Sequence, residues 1–230
     1  MEQAKISEIF LSYQGEGPYA GSKQFFVRFC GCNLDCVYCD TRTESYKSFT
    51  REALLGKILD FEDDYNEFVL TGGEPLEHAS FLAEFLPLFR KHRKHRVYLE
   101  TNGTLPDGLE KILDFVDIIS MDFKLPSSTR GSDDVWGSHE KFVEIAVGKE
   151  LIIKAVVTDH TQIDDIKKMS GILSRVKGDY SIVLQPVTPE GQDILAPDEE
   201  LLSFFSQYIE KETDKTVAVI GQVHKHLGIR

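Results

Sequence analysis

Short apolar runs alternate with amphipathic stretches along nearly the whole chain. An opening strand is predicted over Ile6 to Ser12. It leads into a glycine-rich turn, Gln14-Gly15-Glu16-Gly17-Pro18, and a second strand over Phe25 to Phe29. Thr50 is placed to cap a helix from Arg51 to about Leu59, and Glu67 to Leu70 reads as a short strand. A helix from about Ala79 to Arg90, a strand over Val97–Glu100 and a short helix around Leu109–Leu113 follow. Ile118 to Met121 and Leu151 to Val157 are further apolar runs of strand length. Thr161, with Asp164 three residues on, has the form of a capping box opening a helix to Leu173. Strand Ser181–Leu184, helix Glu199–Glu210 and strand Val217–Ile220 complete the series. Strands alternating with helices predict parallel βαβ units, and their regularity predicts an α/β fold that is a partial or complete barrel. The polar stretch Pro126 to Asp134 reads as a mobile surface loop.

Composition adds bounds. The 230 residues, 41% of them hydrophobic, suffice for one substantial core, and α/β barrels of this length are commonly one domain, here 1–230. With 38 acidic and 26 basic side chains the formal charge is −12, which disfavours nonspecific binding to nucleic acid. The first residues lack a basic segment leading into an apolar stretch, so no signal peptide is expected. No apolar run approaches the roughly 18 residues needed to cross a bilayer, so no membrane partner is expected either. A cytoplasmic setting follows, and clustered cysteines suit a metal or redox role there.

Three of the four cysteines, Cys32, Cys36 and Cys39, fall within eight residues as C-x3-C-x2-C. Four thiolates usually hold a 4Fe-4S cluster, one per iron, so three leave one iron open to a small molecule. A structural zinc site is the other reading of such a triplet and needs a fourth ligand. Cys30 is available in number, but if the stretch is extended its side chain points away from that of Cys32. Burial as a small apolar side chain suits it better.

Other suggestive residues fall at predicted strand ends, where parallel barrels gather their chemistry. They are Thr71-Gly72-Gly73-Glu74-Pro75, Glu100-Thr101-Asn102-Gly103, Ser120-Met121-Asp122-Phe123-Lys124, Lys154 and Gln185-Pro186. The glycines also allow close backbone approach to a ligand, although an ordinary strand-to-helix turn has the same composition. The basic run from Arg90 to Arg96, with His92 and His95, reads as a solvated helix end. Trp136 reads as either a lid or a surface anchor.

The cysteine triplet with Asp40-Thr41, and GGEP about thirty residues later, resemble the radical S-adenosylmethionine (SAM) superfamily. Phe10-Leu11-Ser12-Tyr13-Gln14-Gly15-Glu16-Gly17, Phe26-Val27-Arg28 and Gly31 to Thr41 closely resemble the 7-carboxy-7-deazaguanine synthases. So do GGEP, ETNG and Gln222-Val223-His224-Lys225. QGEG is the specific part, and Tyr13, at a place often aliphatic, is a departure. This resemblance implies a partial (β/α) barrel of the radical SAM type, with parallel strands and helices outside. It also implies conversion of 6-carboxy-5,6,7,8-tetrahydropterin to 7-carboxy-7-deazaguanine with loss of ammonia, on the way to queuosine and related deazapurines.

The resemblance further implies a 4Fe-4S cluster on Cys32, Cys36 and Cys39, SAM, and Mg2+ at Thr41. Tyr13, Gln14, Gly15, Arg28 and Thr71 would meet the substrate, the first three largely through backbone groups, with Arg28 on its carboxylate and Gln14 able to donate and accept. Tyr38, Cys39, Asp40, Gly73, Glu74, Ser120, Asp122, Lys124, Gln185 and Pro186 would lie against SAM. A flavodoxin- or ferredoxin-type electron donor and a homodimer are implied as well. Two other readings are an activating enzyme that installs a glycyl radical on a protein, which needs neither Arg28 nor QGEG, and a zinc-stabilised binding module.

Overall fold

The computed structural model describes residues 2–42, 45–62, 64–129, 135–189, 194–223 and 225. β1 (Ala4–Tyr13) and β2 (Lys23–Phe29) are antiparallel, with a bulge in β1 between Ile6 and Glu8, and β3 (Lys47–Phe49) pairs with the other side of β1. From β2 onward every sheet pairing is parallel, through β4 (Glu67–Gly72), β5 (Arg96–Thr101), β6 (Ile118–Asp122), β7 (Glu150–Val157), β8 (Ser181–Pro186) and β9 (Val217–Val219). Among the described residues the sheet order is β3-β1-β2-β4-β5-β6-β7-β8-β9, with no pairing between its ends. The expected partial barrel is therefore what forms.

Helices fill the crossovers: α1 (Arg51–Leu59), α2 (Ala79–His92), α3 (Pro106–Ile112), α4 (Pro126–Thr129), α5 (Val135–Ala146), α6 (Ile163–Leu173) and α7 (Glu199–Thr213). Thr50 caps α1 as the sequence predicts, its hydroxyl accepting from Ala53 N at 3.2 Å. Asp198 does the same for α7, accepting from Leu201 N at 2.8 Å. On α2, Phe81, Phe85 and Phe89 recur every fourth residue and so share one face. Phe89 stacks on Phe68 of β4 at 4.2 Å between ring centres.

The middle strands β4 to β8 carry apolar residues on both faces, since side chains alternate and both faces are covered. The outer face packs under the helices. The inner face forms a separate layer of Phe26, Val69, Tyr98, Ile118, Ile152 and Val183. Phe10 stacks on Phe26 at 5.1 Å, and Tyr19 meets Tyr98 edge-on at 5.4 Å. The connection from β1 to β2, which carries Tyr19, thus lies across the concave face and covers it.

Several local expectations need correction. Pro126 to Asp134 is not simply an exposed loop. Pro126–Thr129 is a helical turn with Ser128 and Thr129 buried, and 130–134 lie outside the described residues. Thr161 does not cap α6, whose first residue is Ile163. Its hydroxyl accepts from Thr158 N at 2.8 Å and shares a 2.6 Å hydrogen bond with the Ser128 hydroxyl, so a tertiary partner outcompetes the local cap. Asp165, rather than Asp164, reaches back, accepting from Ser127. α5 carries Trp136 as part of a helix, its ring 6.1 Å from that of Phe123. Arg90 is not merely solvated: it pairs with Asp117 and donates to the carbonyls of His95 and Phe115 at 2.8 Å each.

Because Phe89 is fully buried and stacked between α2 and β4, Phe89→Ala is expected to cost about 3–5 kcal/mol of stability. Urea unfolding of the purified variant measures this.

Candidate active site

The inner face changes character toward the C-terminal ends of the strands. Two residues beyond the apolar layer stand Arg28, Thr71, Glu100, Ser120, Lys154 and Gln185, from β2 and β4 to β8 in turn. The period of two that puts Phe26, Val69 and Tyr98 on the floor also points these side chains inward. Together with the cysteine loop and Asp122 they line one cleft of about 670 Å³.

Nearly all the residues expected at the site line that cleft: Tyr13, Gln14, Gly15, Arg28, Cys32, Cys36, Tyr38, Cys39, Asp40, Thr41, Thr71, Gly73, Ser120, Asp122, Lys124 and Gln185. Glu74 and Pro186 do not. The Glu74 carboxylate is fully buried and accepts from Leu76 N (3.0 Å), the Thr101 hydroxyl (2.8 Å) and Asn102 N (2.7 Å). Its side chain braces β4 against β5 rather than facing a ligand. Burial pushes this carboxyl up to about 7, against those three hydrogen bonds, which favour its charge. Pro186 ends β8 opposite Val157, and its neighbours Gln185 and Val187 reach the cleft instead.

The cysteine loop leaves the end of β2 and is clamped by backbone. Gly73 N donates to Phe29 O at 3.0 Å, and Glu74 N donates to Gly31 O at 2.7 Å. A Cβ on Gly73 would stand 1.8 Å from Gly31 O, and one on Gly72, at φ +134°, 2.2 Å from Phe29 O. Only glycine permits this approach. Cys32 Sγ accepts from Leu34 N at 3.4 Å and from Asn102 Nδ2 at 3.8 Å. Burial pushes the Cys32 and Cys36 thiols up. Cys30 is buried, as expected.

Charges in the cleft are arranged in contact. Lys124 Nζ lies 2.7 Å from Asp122 Oδ2 and over the Tyr38 ring at 5.2 Å. Burial opposes the Lys124 ammonium, but Asp122, Tyr38 and Cys36 outweigh it and hold its pKa well above the ordinary value. Lys154 pairs with Glu16, and Gln222 donates to Glu16 at 2.7 Å. Asp40 accepts from Lys225 Nζ at 2.7 Å and the Thr41 hydroxyl at 2.9 Å. Although its burial works the other way, these bonds hold its carboxyl below the usual range. Arg28 Nε binds Glu8 at 2.9 Å.

The donors fit the implied groups. Three soft thiols open on one cleft, as a cluster with one thiolate per iron requires. The Asp40 and Thr41 oxygens suit a hard cation. Asp122 Oδ1 and Gln185 Oε1, buried and without hydrogen-bond partners, suit a ligand that carries donors.

Gln14 lines the cleft, and its side chain is bonded within the protein. Its Oε1 accepts from Gly15 N (3.0 Å) and Glu16 N (3.1 Å), and its Nε2 donates to Gln24 (3.0 Å) and Glu100 (2.9 Å). A side chain with four internal hydrogen bonds braces the turn. Glu16, Glu100, Asn102, Lys154, Gln222 and Lys225 also line the cleft and had no assigned role. The signal for Glu100 and Lys154 was their even spacing from apolar strand residues. For Gln222 and Lys225 only the family-like segment pointed there.

The radical SAM superfamily model matches residues 26–155. A 7-carboxy-7-deazaguanine synthase from Geobacter sulfurreducens is 36% identical across 98% of this chain and 97% of its own length. One from Methanothermobacter thermautotrophicus is 34% identical, over 99% and 98%. The crystal structure of QueE from Escherichia coli has a similar fold, with a TM-score of 0.64 at 20% identity, covering 94% of this chain and 93% of that one.

Glu74 makes a pH prediction. Its folded pKa, about 7 against an ordinary 4.5, means the folded state holds this proton longer than the unfolded state. Stability from this group therefore falls as pH rises from about 4.5 to about 7 and is level above. Urea unfolding of wild type and Glu74→Gln across pH 4.5–8 isolates the effect. Wild type is expected to lose on the order of 3 kcal/mol relative to the variant over that window.

Proposed function

The chain belongs to the radical SAM superfamily and, within it, to the 7-carboxy-7-deazaguanine synthase family, and we propose that its cleft is the site of that family's reaction. The reaction is the ring contraction of 6-carboxy-5,6,7,8-tetrahydropterin to 7-carboxy-7-deazaguanine with release of ammonia, a step in 7-deazapurine biosynthesis. The observation that carries this reading is that three cysteine thiols and Arg28 open on one cleft.

When bound, the reduced 4Fe-4S cluster and SAM supply the radical that starts the reaction. Cys32, Cys36 and Cys39 hold the cluster. Gly73 and Glu74 bring backbone to SAM, with Tyr38, Asp40, Ser120, Asp122, Lys124 and Gln185 around it, and the Glu74 side chain braces that segment against β5. Arg28 offers a planar fork of donors to the substrate carboxylate. Thr71, Tyr13 and the backbone of Gly15 meet the pterin, and Glu100 accepts from its N–H edge. Thr41, beside Asp40, presents oxygen to Mg2+. The covered concave face keeps water from the reacting atoms.

The chain works as one unit over 1–230, in keeping with a single sheet. An electron donor of flavodoxin or ferredoxin type reaches the exposed Cys32 and Cys39 side of the cleft. A homodimer is supported by exposed Phe204 on α7 and Val219 at the unpaired edge of β9. None of the cysteines is in a disulfide, in keeping with a cytoplasmic setting. No helix among the described residues is long and apolar enough to cross a membrane.

Anaerobically reconstituted, reduced protein given SAM, Mg2+ and 6-carboxytetrahydropterin should form 7-carboxy-7-deazaguanine, read by mass spectrometry. 5′-Deoxyadenosine without that product would refute the substrate. Cys36→Ala should abolish absorption near 400 nm and turnover together. Arg28→Ala should raise KM by about 10- to 100-fold, the worth of a charged hydrogen-bonded pair, while SAM cleavage stays measurable.

A further inference from the structure

On the far side of the apolar floor from the cleft lies a polar pair with no part in the reaction as derived. Gln24 and Glu67 are register partners in β2 and β4, two residues before Phe26 and Val69. Gln24 is fully buried and Glu67 nearly so. Buried polar side chains are costly unless bonded, and an apolar pair would fill this place more cheaply. Here they form an ordered chain. Asn66 Nδ2 donates to the Ser22 hydroxyl at 3.0 Å, and that hydroxyl donates to Glu67 Oε2 at 2.8 Å. Gln24 Nε2 donates to the same oxygen at 2.8 Å. Gln24 Oε1 then accepts from Gln14 Nε2, which also donates to Glu100 Oε1 in the cleft.

The direction of every bond is fixed. Backbone N–H groups of Gly15 and Glu16 can only donate, so they hold Gln14 with its oxygen toward them and its nitrogen toward Gln24 and Glu100. A carboxylate only accepts, so Glu67 turns the Gln24 nitrogen to itself and the Gln24 oxygen to Gln14. A hydrogen-bonded network with a buried centre of this kind favours one arrangement.

We propose that Gln24 and Glu67 are a positioning pair: acting through Gln14, they fix the turn at 14–16 and hold Glu100 as an acceptor facing the substrate. The pair thereby favours pterin-like substrates that present N–H donors at that edge. This rests on the functional reading above, in which Glu100 and the turn meet the pterin.

Two variants test it, in the reconstituted enzyme with SAM. Gln24→Leu keeps bulk but removes both bonds. The double variant Gln24→Glu with Glu67→Gln exchanges the two groups, still presents an acceptor to Gln14, and keeps the net charge. Expected for Gln24→Leu is a KM for 6-carboxytetrahydropterin raised about tenfold, roughly the worth of one buried hydrogen bond. Its kcat and substrate-free SAM cleavage should stay within about twofold of wild type. The exchange should restore a near wild-type KM, which packing at position 24 alone does not predict. Because the exchange keeps shape and the bonds from Gln14 to position 24 and between positions 24 and 67, with the Ser22 hydroxyl turning to accept from the new amide, it tests the pair even where Gln24→Leu fails to fold. A wild-type KM in Gln24→Leu, or an exchange variant with a tenfold raised KM, would overturn the proposal. Wild-type turnover, measured in the same series, separates failure of the pair from failure of the functional reading.

Discussion

The site depends on one close backbone contact, where the end of β4 meets the start of the cysteine loop. Gly73 N and Glu74 N donate to the Phe29 and Gly31 carbonyls, and there is no room for a side chain on Gly73. The contact then extends laterally. Glu74 ties Asn102 N and Thr101 to the same point, and Asn102 Nδ2 reaches Cys32 Sγ and Asn33 Oδ1. Three strand ends and the loop are thus held as one piece. The seventeen-residue connection from β2 to β3, which carries the three thiols, has many conformations available, and this clamp removes much of that freedom before any ligand binds.

The open sheet makes a second demand. A closed barrel fills its interior with side chains from its own strands, whereas this one leaves its concave face uncovered on one side. The connection from β1 to β2 covers it, with Tyr19 against Tyr98 and Glu16 against Lys154 and Gln222. The segment most particular to this family is therefore also the piece that completes the interior. The proposed substrate contacts and the closure of the fold fall on the same few residues.

Much of this was legible in the sequence because the strands are short, apolar and regularly spaced. The start of α1 at Arg51 was legible from its Thr50 cap. Polar residues at even spacing beyond apolar ones, as in Phe26 and Arg28 or Tyr98 and Glu100, mark an inward face that ends in a cleft. What was not legible arose from contacts between distant segments. Thr161 looked like a cap until Ser128 supplied a competing partner. The bonds of the Glu74 side chain to Thr101 and Asn102 were hidden because a motif gives residue types but not side-chain direction. α5 was missed because its buried face, His139, Phe142, Val143 and Ala146, follows a stretch rich in turn-forming residues. That the Gln14 side chain is taken up by Gly15, Glu16, Gln24 and Glu100 showed only in the fold.

The clamp at Gly73 can be tested directly. Gly73→Ala would be purified, checked for an intact sheet and helices by far-ultraviolet circular dichroism, and reconstituted anaerobically with iron and sulfide. A chain that keeps its secondary structure but binds well under half the wild-type iron, with weak absorption near 400 nm, is the predicted result. Full iron content and a wild-type spectrum in that variant would contradict the claim that this backbone contact organises the cysteine loop.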